Sequence, residues 1–270
     1  MPFRFRLLPP LLTAVVVAAC SGDSATARAA TDGSHGATAR GTPTFAEPSG
    51  AYRVVAVTNG GAVTGHVTLD GAVPPPPAPP VTADSADCDM QPGDPSTLHR
   101  GTALENVVVW LSDVRAGAAL PEERRYAITQ SGCQFDPRVQ AIAVGGTVNV
   151  RSVDPIRHTN VLLRAGTTDT IAVVRQYDAG SVVPDEHVGK RPGLVELRCL
   201  QHPWTRGWIA VFDTPYFAVT GSDGSFRIAD VPPGKHTLMI WHERGGAPRS
   251  QTVDVPPSGE AKVEVKVALH

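Results

Sequence analysis

The chain has 270 residues, of which 41% are hydrophobic, and its 24 basic and 26 acidic side chains leave a formal net charge of −2. With charge this close to balance, no basic stripe and no interleaving of basic with aromatic residues, nothing in the chain addresses a nucleic acid. No apolar segment after residue 20 is long enough to cross a bilayer.

The first twenty residues carry a basic start at Arg4 and Arg6, an apolar run from Leu7 to Ala19 and a small-residue end, Val17-Ala18-Ala19-Cys20. The run is too short to span a membrane and contains Pro9 and Pro10, so it reads as an export signal. The final four residues resemble a bacterial lipobox, which implies acylation of Cys20; an ordinary secretory signal that happens to contain a cysteine is the alternative. Ser21 after the lipobox resembles lipoproteins sorted to the outer membrane. The expected location is therefore the bacterial cell envelope, on the periplasmic side, with acyl chains as the only membrane attachment. Residues 21–50, rich in Ala, Gly, Ser and Thr, read as a flexible tether reaching roughly 30 Å on average.

From residue 51 onward the signals are those of strands. GHVTLDGAVP (65–74) precedes a proline run, Pro74 to Pro80, that reads as a rigid connector. ENVVVWLSD (105–113) is a further strand. AIAVGGTVNV (141–150) is expected to be two strands joined in a hairpin at Gly145-Gly146, and FAVTGSDGSFRI (217–228) a hairpin with Asp223-Gly224 at its tip. VPPGKHTLMIW (231–241) is a Pro-Gly turn leading into a buried strand. KVEVKVAL (262–269) alternates, which sets Val263, Val265, Val267 and Leu269 on one face. No helical period exceeds two turns, so the chain is predicted to be all-β.

One segment carries chemistry. CLQHPWTRGWIAVFD (199–213) places Cys199 and His202 three residues apart in a Pro-Trp loop that runs into an apolar strand, Trp208 to Phe212. Upstream, DPIRHTNVLL (154–163) ends one strand and begins another with His158. A thiolate and two imidazoles suit an ion that cycles between Cu(I), which favours soft sulfur, and Cu(II), which favours nitrogen. The plain alternative is a buried thiol and two hydrogen-bonded core histidines. Asp154 and Asn160 are candidates to hold the ligand rings in place.

The Cys-x2-His loop resembles the short ligand loop of amicyanin-type cupredoxins. The resemblance implies a Greek-key β-sandwich binding one type 1 copper through His158, Cys199 and His202, with Thr205 standing where those proteins place an axial Met. It also implies one-electron transfer with an exported redox donor and acceptor, through the edge of His202, with Trp204 beside it. Related cupredoxins have Asn directly after the first ligand His, whereas this chain reads His158-Thr159-Asn160. If Cys20 carries lipid and Cys199 a metal, Cys88 and Cys133 are left to pair in an oxidising compartment. The pairings Cys133–Cys199 and Cys88–Cys199 stay open, and either would destroy the copper site.

A second resemblance covers residues 65–74, 105–113 and 220–245, which look like successive strands of a transthyretin-type, carboxypeptidase-regulatory-like β-sandwich. About a hundred residues intervene where such modules have few. The expected organisation is a cupredoxin domain, 126–213, inserted in a sandwich made of 51–125 and 214–270. Together these resemble periplasmic cupredoxin-like proteins labelled methylamine-utilisation or plastocyanin-like, with CxxHPW, PYFAVT and WHE as the strongest motifs. His242 and Met239 read as packing residues, and His35, His99 and His187 lack partners in the sequence. The competing function is a non-redox surface-binding lipoprotein, with carbohydrate or protein as ligand and a degenerate cupredoxin domain. No His-x-His pair or Cys-x3-Cys motif is present to build a multicopper enzyme site, so an electron carrier or binding protein is expected rather than an enzyme.

Overall fold

A computed structural model describes Phe45 and residues 51–73, 87–88, 95–97 and 99–270. Cys20, His35, the rest of the tether and the proline run fall outside the described residues. Within them the regular structure is all strand apart from two single-turn 3-10 segments, Pro95–Thr97 and Val188–Lys190. No described helix is long and apolar enough to cross a membrane.

Strands between residues 125 and 212 pair only with one another, in two sheets. One runs in the order Val182–Asp185, Thr147–Ser152, Arg125–Ser131, Gln134–Asp136. The other runs Thr170–Gln176, His158–Arg164, Gly193–Cys199, Arg206–Phe212, Val139–Ala143. Their facing side chains, among them Ile128, Val148 and Val150 from the first and Leu162, Leu197 and Ile209 from the second, make one core.

Besides a two-stranded parallel pair, Arg53–Val54 with Ala116–Gly117, the flanking segments build two larger sheets. Phe217–Val219, Val108–Leu111, Gly234–Trp241 and Arg249–Val255 form one. Gly61–Leu69 anchors the other, with Ser225–Val231 antiparallel to it and Glu260–Val267 parallel. The strand Glu260–Val267 alternates as the sequence predicts: Glu260, Lys262, Glu264 and Lys266 are exposed, while Ala261, Val263, Val265 and Val267 enter the core.

Two runs escape alternation for a physical reason. In Val108–Leu111 all four residues are buried. Val109 and Leu111 point into the flanking core, and Val108 and Trp110 point the other way into a third cluster with Ala210, Phe212 and Trp241. Arg206–Phe212 is its counterpart, with Ile209 and Val211 in the inner core and Trp208, Ala210 and Phe212 in the shared cluster. A strand buried on both faces reads as a continuous apolar run. Phe45 closes the shared cluster, stacked on Trp110 with centroids 4.6 Å apart and edge-on to Trp241 at 5.6 Å.

A buried ion pair joins the same two halves. Arg138 donates to both oxygens of Glu243, at 2.5 and 2.8 Å, and Trp208 Nε1 donates to Glu243 Oε2 at 3.0 Å. The WHE motif is thus a structural lock. His242 is 2% exposed and accepts the backbone N–H of Arg244, and Met239 packs at the edge of the shared cluster.

Both expected hairpins are corrected. Val139–Ala143 pairs with Arg206–Phe212, whereas Thr147–Ser152 pairs with Arg125–Ser131 and Val182–Asp185, in the other sheet. The Gly145-Gly146 turn, with Gly145 at φ +76°, therefore carries the chain across the sandwich. Likewise Phe217–Val219 pairs with Val108–Leu111, while Ser225–Val231 pairs with Gly61–Leu69. The Asp223-Gly224 turn, in which Asp223 accepts from the N–H and hydroxyl of Ser225, is a crossover between sheets. Turn chemistry fixes the local bend, but partner choice is decided by which faces must be buried.

Candidate metal centre

The strands deliver the expected donors to one point. Cys199 ends Gly193–Cys199 and pairs across the sheet with Asn160, two residues along the same strand from His158. The loop after Cys199 is a closed turn: Cys199 N–H donates to the Thr205 carbonyl at 3.2 Å and Thr205 N–H to the His202 carbonyl at 2.9 Å. Gln201 pins it to the next strand, accepting from Thr159 N–H at 2.8 Å and donating to the Thr159 hydroxyl at 3.0 Å.

His158 Nδ1 and His202 Nδ1 lie 3.2 Å apart, and Cys199 Sγ lies 3.6 Å from the first and 3.4 Å from the second. A point equidistant from the three atoms is about 2.0 Å from each, the length of a metal–imidazole nitrogen bond. One soft sulfur and two imidazole nitrogens in a triangle of this size fit copper. The donors are buried, His158 at 1% exposed, Cys199 at 3% and His202 at 0%.

Ring orientation is set from behind. Asp154 Oδ2 accepts Nε2–H of His158 at 2.9 Å, which leaves Nδ1 facing the centre. The same carboxylate accepts backbone N–H groups of Gly132 and Cys133, at 2.7 and 2.9 Å. Asn160 pairs with Cys199 through the backbone only; its side-chain amide bonds Gln130 and Gln176.

Thr205 is 1% exposed, and its hydroxyl donates to the backbone carbonyl of Cys133. Its hydroxyl hydrogen is engaged there, at the position where the amicyanin-type loop has its axial Met. Cys88 and Cys133 form a disulfide, leaving Cys199 as a free buried thiol. Sulfur atoms of both bridged cysteines lie within 4.8 Å of a His202 ring nitrogen, so the bridge packs beside that ring.

His202, through whose edge the electron path is expected, is a fully buried side chain. Trp204 sits against it, ring centroids 5.3 Å apart. Leu200, an apolar side chain of the ligand loop, is 62% exposed. His99 is exposed and bonds the Gly101 carbonyl, and His187 stands 3.3 Å from Asp185, both in strands or turns that contribute nothing to the donor triangle.

Gln130 is the residue that the sequence reading missed. It is 0% exposed, and its amide lies 3.0 Å from His158 Nδ1. The signal was the alternation of Tyr126, Ile128 and Gln130 along Arg125–Ser131, which puts a polar side chain on an inward face.

No family model matches the chain, and no curated protein matches it. Solved structures similar to part of it include a cupredoxin, an auracyanin and a copper-containing nitrite reductase. A purple cupredoxin from Nitrosopumilus maritimus is 19% identical over 32% of this chain and 99% of that one, with a TM-score of 0.28. Auracyanin from Roseiflexus castenholzii is 14% identical over 34% of this chain and 99% of that one, at 0.29. A copper-containing nitrite reductase from Thermus scotoductus is 21% identical over 46% of this chain and 28% of that one, at 0.30.

Proposed function

We propose that this is an exported type 1 copper protein that carries single electrons between partners in the bacterial envelope. The donor triangle carries the reading: three side chains of the right hardness, at mutual distances of 3.2 to 3.6 Å, buried and held by their neighbours. Copper bound there would supply a one-electron couple whose two oxidation states tolerate the same trigonal donors. The protein's part is to keep those donors still. Asp154 locks His158, the closed 199–206 turn locks Cys199 and His202, and burial keeps water from adding a hard ligand. With the Thr205 hydroxyl engaged elsewhere, three side chains do the binding.

In this reading residues 126–213 are a cupredoxin domain inserted in a transthyretin-type sandwich of 51–125 and 214–270. Cys20 anchors the chain by lipid, residues 21–50 tether it, and a redox partner docks near Leu200. The chain performs no catalysis of its own.

The test is titration of the full chain with Cu(II). An intense visible thiolate-to-copper band should appear at one equivalent and be absent in Cys199→Ser. Colour that survived the substitution would refute the assignment, and no colour in the wild type would favour a non-redox binding module.

A further inference from the structure

Gln130 raises a question of polarity, because an amide can turn either its oxygen or its N–H toward His158. The surrounding hydrogen bonds leave one answer. Gln176 Nε2 donates to the carbonyls of Val150 and Ser181, at 3.1 and 3.3 Å, so Gln176 Oε1 must face Asn160. Asn160 Nδ2 donates to that oxygen at 3.0 Å and to Gln130 Oε1 at 2.7 Å. Gln130 therefore presents N–H to His158, at 3.0 Å from Nδ1.

From the opposite side, Asp154 takes Nε2–H of His158 and leaves Nδ1 with a lone pair. Two chains of hydrogen bonds, each ending on backbone groups, meet at this ring: Asp154 on Nε2–H and Gln130 on the Nδ1 lone pair, which His202 Nδ1 and Cys199 Sγ also face at 3.2 and 3.6 Å. It is the same lone pair that a metal would need. One further atom is out of balance: Asn160 Oδ1 is buried without a hydrogen-bond partner. A buried acceptor left unmade costs free energy, so it is a ready second home for a displaced N–H on the adjoining side chain.

We propose that Gln130 is a positioning residue with two settings, a gate on the metal site. Without metal its N–H occupies the Nδ1 lone pair of His158. With metal bound the N–H is displaced and turns to Asn160 Oδ1. The gate lowers the affinity of every cation by the same factor, so it raises the concentration at which the site fills, while the donor set decides between ions. It rests on the reading of His158, Cys199 and His202 as copper donors.

The test uses the full chain labelled with nitrogen-15, and Cu(I) under argon as a diamagnetic probe. In the metal-free protein one side-chain amide proton of Gln130 should lie well downfield of its twin, and one equivalent of Cu(I) should move it. Gln130→Leu, which cannot donate, should bind Cu(I) roughly fivefold to tenfold tighter in competition with a chromophoric chelator. A Gln130 signal that stays put while Cu(I) binds through Cys199 would overturn the gate and leave the copper reading intact. Unchanged or weaker Cu(I) binding by a folded Gln130→Leu would do the same. If that variant does not fold, the wild-type resonance decides alone. A chain that takes up no Cu(I) would take down the copper reading, and the gate with it.

Discussion

Thr205 shows how one side chain fastens the loop that carries the donors. Its hydroxyl is bound to the Cys133 carbonyl, and that bond fastens the ligand loop to the residue carrying the disulfide. Thr205→Val keeps the shape and removes the donor, so a buried carbonyl loses its partner. The expected cost is about 1 to 3 kcal/mol in a denaturant titration, with the copper band unchanged. Loss of the band would mean that the threonine oxygen belongs to the metal site. Three donors were legible at this scale because Cys-x2-His spacing is local and chemically specific. Gln130 was fainter: alternation sets it on the inward face of its strand, but only the fold reveals that Asn160, itself bonded to Gln176, meets its amide from another strand.

At the scale of strands, the apolar runs VVVWL (107–111) and WIAVF (208–212) carried more information than their alternation suggested. Each was legible as a strand. That both faces were buried followed from the absence of polar positions, but which surface each face met depended on partners a hundred residues away. The same limit explains the two misread hairpins, whose Gly-rich turns bend the chain without specifying the sheet it enters. Arg138 and Glu243 show the energetic side of such distant pairing. Their side chains are 8% and 6% exposed, so neither charge is solvated if the other is removed. Arg138→Met should destabilise by about 3 to 5 kcal/mol. Adding Glu243→Leu should recover much of that loss, measured by chemical unfolding; a double variant as unstable as the single one would show that packing around Arg138, and not the stranded carboxylate, is responsible.

Across the whole molecule, the inner and flanking sandwiches share a hydrophobic cluster rather than meeting through a linker. Trp110 is the informative residue, since it belongs to a flanking strand, is 5% exposed and touches Phe45 and the inner-strand residue Phe212. If the cluster couples the two sandwiches, damage on the flanking side must be felt at the metal centre. Trp110→Ala leaves a large cavity and should cost about 3 to 5 kcal/mol. Heating the copper-loaded full chain should then show the visible band and the far-ultraviolet circular dichroism lost together, both at a lower temperature than in the wild type. None of the three donors belongs to the cluster around Trp110, so a direct effect on them is not in play. Two separate transitions, with the colour lost at the wild-type temperature, would show that the sandwiches unfold independently and that the shared cluster is only a contact.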